Sequence, residues 1–496
     1  MADIPLPEHV LQTCVAHQRE VALAQLDMPP GEARETRLAE ALTHAVEAVP
    51  TATVEALQGL WAAATGAPQE ALQRLLAWTL TRHIEHALLP MQRDMTSRQR
   101  STVCLVDEEP IPLRAAFAAM ATETRRDRRA AIEVAVVAQL RDLNALYTDQ
   151  FKALSTVVEP LGYAAPEAFW ATNLPVEPAT LQDVATAILT QTEEVYTDLL
   201  TWATQRRLRM PPGQLRRHDI FALFTFAEYQ AYYQPGSIMP ALHHSLRELG
   251  LAPDVDGRLT WRERAAAFGP PAALALQIPD EIVLSYGPAQ GLKGAEALAS
   301  ASGQGLLWAH TAPELPLLSR ALGDPALALS QGYMWAELMT DPRWLAHALR
   351  VRVDRNYMAW HALDRLYRIR RFLGRFLYTR YLYTENSLSG ADEAYRDLMM
   401  EACHVDYPQE YYLLDWDWDY TSLMHLRAWS LALALCAALR AQYADDWFRN
   451  PEAGEWLRQY WASALGERLE SRRDDLLGTS WDADLFAAAL GYQANT

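Results

Sequence analysis

Apolar residues recur at three- and four-residue spacing through much of the chain, the period that lines up side chains on one face of an α-helix. Residues 71–95, 128–154, 181–207 and 456–477 hold that spacing over many turns and predict long amphipathic helices. Pro29-Pro30-Gly31, Pro211-Pro212-Gly213 and Pro270-Pro271 fall between such windows and mark loops. Strand-like character is confined to 103–106, 274–278 and 282–286, and VCLVDEEPIPL (103–113) has the form of a short hairpin. Residues 1–98 read as four helices joined by short turns and packed on a larger body, 99–496. The expected class is mainly α with one small antiparallel sheet.

Composition narrows the setting. Half of the 496 residues are apolar, enough for a large core, and 44 basic against 62 acidic side chains give a net charge of −18. That excess repels nucleic acid at long range, so no nucleic-acid partner is expected. One region runs against it. Arg352, Arg355, Arg365, Arg368, Arg370, Arg371, Arg375 and Arg380 alternate with aromatic residues, which reads either as an anion-binding face or as a long helix whose arginines pair with the acidic surplus. The second reading is preferred. The opening MADIPLPEHV lacks the basic and apolar regions of a secretion signal. The longest apolar run, 428–439, is short for a bilayer and predicts a buried helix without a membrane role. Cys14, Cys104, Cys403 and Cys436 show no paired spacing. A cytoplasmic protein is the resulting expectation.

The chemistry concentrates in residues 294–332, GAEALASASGQGLLWAHTAPELPLLSRALGDPALALSQG. This stretch resembles the active-site region of the thimet oligopeptidase and oligoendopeptidase family of zinc metallopeptidases. There one helix carries H-E-x-G-H and a second carries a glutamate. Aligned through WAHT (308–311) and QGY (331–333), the motif falls on Ser300, Ala301, Ser302, Gly303 and Gln304, and only the glycine is kept. The resemblance extends over roughly four-fifths of the chain. LRRHDIFALF (215–224), IPDEIVLSYGPAQG (278–291), DPRWLAHAL (341–349), VDYPQEYYLLDWDWDYTSLMHLRAWSLAL (405–433) and DDWFRNPEAGEWLRQYW (445–461) arrive in the family's order. It implies a two-lobed helical body around a deep channel, with the small sheet beside the former zinc helix.

The resemblance also says what has been lost. Two imidazoles at i and i+4 supply two of the three ligands of a catalytic zinc, and the glutamate after the first histidine is the general base. Here Ser300 and Gln304 offer a hydroxyl and an amide, Ala301 accepts no proton, and Gln331 replaces the third ligand. The tyrosines that donate to the oxyanion in such enzymes align with Thr421 and His425. No metal and no cofactor are therefore expected. Replacing large ligands by small groups predicts open volume on the channel floor. Trp308, His310, Tyr333, Tyr420 and Arg427 are the candidates to line it.

Other clusters carry weaker signals. Adjacent histidines such as His243 and His244 point about 100° apart on a helix, and no carboxylate is evident to complete a ligand set. Asp415, Asp417 and Asp419, interleaved with Trp416 and Trp418, lack the glycine and terminal glutamate of a calcium loop and read as a loop shaping the cleft rim. Three function classes follow. The first is a catalytically inactive homologue binding a peptide or small ligand, with an active paralogue or another protein as partner. The second is a repurposed enzyme with metal-free chemistry, needing His310 or His425 beside a carboxylate. The third is a residual zinc endopeptidase.

Overall fold

The computed structural model describes residues 6–477. Four helices open it, α1 (Leu6–Asp27), α2 (Glu32–Ala48), α3 (Thr51–Ala63) and α4 (Ala67–Ser101). A hairpin of β1 (Val103–Val106) and β2 (Glu109–Pro112) leads to α5 (Leu113–Thr122), α6 (Arg126–Val158), α7 (Pro166–Asn173), α8 (Gln182–Gln191), α9 (Glu193–Ala203) and α10 (Arg217–Leu223). After α11 (Ile238–Glu248) come β3 (Leu259–Glu263), β4 (Ala272–Gln277) and β5 (Glu281–Tyr286). They are followed by α12 (Gly291–His310), α13 (Leu317–Leu322), α14 (Pro325–Leu338) and the single turn α15 (Pro342–Trp344). The rest is α16 (Arg355–Glu385), α17 (Ala391–Cys403), α18 (Thr421–Tyr443), α19 (Pro451–Ala464) and α20 (Leu469–Leu477).

One compact unit gathers residues 6–86, Glu228–Asp354 and 427–477. Its sheet has the order β3-β5-β4. β4 runs antiparallel to β5, as the hairpin-like spacing of the two apolar runs requires, while β3 adds a parallel edge that makes the sheet mixed. α1 lies on this sheet, with Ala22 and Leu26 buried against Leu274, Leu276 and Val283. The first helix is thereby fixed to the unit that contains α12. Local signals start the later helices. Asp324 caps α14 by accepting from the Ala326 N–H at 3.0 Å, with Pro325 at the first helical position, and Asn450-Pro451 opens α19 in the same way. Side-chain capping plus a preset φ explains both starts.

The second unit gathers Ala87–Ala227 and Arg355–Leu426. Arg352 precedes α16, the other seven arginines of the window lie on that helix, and those at 368, 370, 371, 375 and 380 are engaged inside this unit. Arg370 is 1 % exposed and donates to the carbonyls of Ala402 and Leu189, to Thr192 Oγ1 and to Glu193. Arg371 pairs with Asp415 at 2.9 Å and Arg380 with Glu167. These are the partners of a structural helix, satisfied by carbonyls and carboxylates as buried charges must be.

Among the described residues one helix, α18, is long and apolar enough to cross a membrane. It runs well beyond the apolar stretch 428–439, and 78 % of its most apolar window is buried within the protein. That burial is what a core helix shows.

Candidate functional site

The run SASGQG belongs to the middle of α12, where Ala299, Ala301, Ser302, Gly303 and Gly305 are buried. Its small residues form a contact face for α14. A Cβ at Gly303 would lie 2.4 Å from the Gln331 carbonyl oxygen, and one at Gly332 would lie 2.5 Å from Ser300 Oγ. Only glycine at both places permits this approach. Ser300 and Gln304, one turn apart, bond to each other, the Gln304 amide donating to Ser300 Oγ at 3.3 Å. The structure thus brings Ser300, Gln304 and Gly332 together. On this side α14 packs directly against Ser300, Gln304 and Gly303.

Gln331 is oriented elsewhere. It is fully buried, its Oε1 accepts from the Trp461 indole N–H at 2.9 Å, and its Nε2 reaches Ser330 Oγ at 3.3 Å. His310 stacks on the same indole with ring centroids 5.1 Å apart. Burial lowers the His310 pKa to about 4, so the ring is neutral at pH 7. His310, Trp461 and Gln331 therefore tie α12, α19 and α14 into one packed layer. Trp308 is half-buried. Tyr333 stacks on Trp429 at 4.8 Å. Arg427 is clamped between Asp324, the cap of α14, and Glu470 of α20, to which its Nε donates at 2.7 Å.

Tyr420, Thr421 and His425 belong to the second unit. Thr421 Oγ1 donates to Asp419 at 2.8 Å. The Tyr420 hydroxyl donates to Glu167 at 3.0 Å from a backbone in the left-handed region, φ 56°. His425 stacks on Phe372 at 4.7 Å, and burial lowers its pKa to about 4. The three aspartates diverge to separate tasks. Asp415 binds Arg371 and the Tyr395 hydroxyl, Asp417 accepts from Ser422 at the start of α18, and Asp419 accepts from Thr421. They anchor helices and do not converge on one point.

A zinc ion of the kind the resemblance implies does not fit the residues present. Ser300, Ala301, Gln304 and Gln331 supply a hydroxyl, a methyl and two amides. The amide of Gln331 is committed to Trp461 and Ser330. Zinc ligation at neutral pH calls for imidazole, thiolate or carboxylate donors.

A different cluster does present such donors. His243 packs edge-on against Trp261 at 4.4 Å, whereas its neighbour His244 faces the other way, one turn before Glu248. His347, 99 residues after Glu248, has Nε2 at 2.9 Å from both Glu248 oxygens. Glu248 and His347 complete the set that His244 lacked in the sequence reading. Glu248 corrects the expectation that no carboxylate completes a ligand set at His244, and His347 approaches from across the fold.

The comparisons define a class by fold. A protein of Chlamydophila abortus assigned as a peptidase superposes with a TM-score of 0.65 at 11 % identity, covering 99 % of this chain and 87 % of the other. One of Bacillus anthracis str. Ames assigned as oligoendopeptidase F gives 0.60 at 13 % identity, over 95 % and 84 %. PZ peptidase A, solved with an inhibitor, gives 0.60 at 9 % identity, over 94 % and 87 %. No family model and no curated protein matches by sequence. The chain has an oligoendopeptidase-like fold, mainly helical with small sheets.

Proposed function

We propose that this protein is a catalytically inactive relative of the zinc oligopeptidases that binds a peptide or small molecule without cleaving it. The observation that carries this reading is the filled face between α12 and α14. Ser300 and Gln304 bond to each other there and press on Gly332. A hydrolytic centre needs a polarising group and a base beside an open position. On this face a hydroxyl and an amide are packed against Gly332. The two histidines that metal-free chemistry would recruit, His310 and His425, are stacked on Trp461 and Phe372 and held neutral by burial. Binding of extended peptides in the position of the peptidase channel remains open to such a scaffold.

The test uses the purified full chain with a mixed library of fluorogenic peptides and added zinc. Retention of peptides by native mass spectrometry, with no cleavage above a no-protein control, is the expected result. Peptide hydrolysis that a chelator abolishes and zinc restores would overturn the proposal.

A further inference from the structure

We propose that His244, Glu248 and His347 form a binding site for a divalent transition metal of the zinc class, unrelated in position to the residues of α12 and α14. Two imidazoles and one carboxylate are a donor set suited to Zn²⁺ and its neighbours, and three protein ligands leave coordination positions for water or a small ligand. His244 and Glu248 share one face of α11 by their four-residue spacing.

The distances fit. Metal bonds of about 2.0–2.2 Å at tetrahedral angles place ligand atoms about 3.3–3.5 Å apart. His244 Nε2 lies 3.5 Å from Glu248 Oε1 and His347 Nε2 lies 2.9 Å from Oε2, with all three ligand atoms within 4.8 Å of one another. Small rotations about the side-chain torsions would equalise these edges.

The supporting structure holds the ligands in place. His347 sits in a π-turn, Leu345–Leu349, that closes with Arg350 at φ 60°. The turn is a helix C-terminus, closed by the Val351 N–H donating to the Leu345 carbonyl at 3.0 Å. Trp344, just before the turn, donates its indole N–H to Ser245 of α11 at 2.9 Å, so both ligand-bearing elements are locked together. On the far side, Gly454 of α19 lets the Leu249 carbonyl pack so closely that a Cβ would lie 1.8 Å from it. That contact fixes the end of α11 next to Glu248.

The site also has somewhere to open. A cavity of about 400 Å³ is lined by His244 together with Tyr232, Gln234, Ser237, Ala348 and Val351 among others. His244 is 53 % exposed, while Glu248 and His347 are about three-quarters buried, at 25 % and 22 %. Two ligands are thus held and the third faces the cavity, a layout that admits an ion from solvent.

Zinc titration of chelator-stripped protein, read by inductively coupled plasma mass spectrometry after dialysis, tests the site. The visible spectrum of the cobalt form and the unfolding temperature provide further readouts. The expected result is one equivalent at micromolar zinc, with a raised unfolding temperature because the ion binds the folded state. Affinity should fall by at least about ten-fold in His347→Ala, Glu248→Gln and the exposed His244→Ala. His244→Ala removes a half-exposed side chain and leaves the fold intact, so loss of metal in that variant cannot be assigned to unfolding. Absence of stoichiometric binding to the wild type, or undiminished binding by His244→Ala together with His347→Ala, would overturn the site.

Discussion

Replacing Gly303 by alanine probes the contact on which the reading of α12 and α14 depends. The added Cβ would meet the Gln331 carbonyl oxygen at 2.4 Å and Trp335 Cδ1 at 2.7 Å. The first obstacle is backbone in the middle of α14, so it cannot swing aside and the helices must separate. Helix propensity acts in the opposite direction, since alanine improves on an interior glycine by about 1 kcal/mol. Overpacking a close-packed contact costs about 1–3 kcal/mol, and an overlap against backbone belongs at the upper end. The net expectation is a loss of about 2 kcal/mol. Gly59 is the control, because it lies inside α3 with nothing within 4 Å of its would-be Cβ. Gly59→Ala should therefore stabilise by about 0.5–1 kcal/mol. Gly332→Ala is intermediate. Its nearest obstacle is Ser300 Oγ at 2.5 Å, followed by Gln304 Nε2 and the Ser300 carbonyl oxygen, each at 3.0 Å, and adding Ser300→Ala should recover part of its loss. Urea-unfolding midpoints measured under one set of conditions should rank Gly59→Ala above wild type, then Gly332→Ala, then Gly303→Ala. If Gly303→Ala unfolds at or above the wild-type midpoint, α12 and α14 do not meet as described, and the argument from a filled face fails with them.

Three further outcomes follow from single residues. His310 and His425 have pKa values lowered by burial to about 4, below the ordinary 6.5. The unfolded chain therefore takes up those protons first, and their contribution to stability is complete above pH 6.5 and lost as pH falls toward 4. The double variant His310→Gln with His425→Gln should flatten the dependence of the unfolding midpoint on pH across that window, and an unchanged slope would contradict it. Trp461→Phe keeps an aromatic surface for His310 but deletes the donor to Gln331, for a loss of about 1–3 kcal/mol. Adding Gln331→Met should reduce that loss by removing the stranded acceptor, and equal midpoints for the single and double variants would show that the pair does not interact. All four cysteines are buried and free, and burial pushes the Cys14 and Cys403 thiols up to about 12. A thiol reagent at pH 8 should label none of them until denaturant is added, because the thiolate is the reactive form.

Much of the architecture is written locally and some of it is not. The period of apolar residues locates α4, α6 and α16, and the alternation at 103–113 locates the first hairpin, because each of these elements buries one face along its own length. The 181–207 window reads as a single helix yet is broken between α8 and α9 at Thr192. Its apolar spacing continues across the break, and the residue that stabilises it, Arg370, donates to Thr192 Oγ1 from 178 residues away. No local pattern can register such a partner. The break between α19 and α20 did have a local signal in Gly466, which the long apolar period of 456–477 obscured. β3 escaped notice for a different reason. LTWRE shows only Leu259 buried and ends in charged residues, as an edge strand does when its neighbour alone supplies the pairing.

The two histidine regions show how far chemistry can be read before packing is known. Positions 300, 301, 304 and 331 are singled out in the sequence by the resemblance, but what their side chains touch is a property of contact. Gly332 and Gly303 let two helices close, and Trp461, 130 residues from Gln331, takes its amide. At 243–244 the failure ran the other way. Two adjacent histidines diverge on a helix, so neither could be completed by the other, and each was completed by the fold. Trp261 covers His243, while Glu248 and His347 converge on His244. The carboxylate, Glu248, stands one turn on in the same helix, against the expectation that none completes a set there. The second imidazole, His347, lies 99 residues further on, and no local pattern announces its approach to Glu248. A site built from two segments is legible only as far as its local half, so the informative residue at such a place is the one whose neighbour in sequence faces somewhere else.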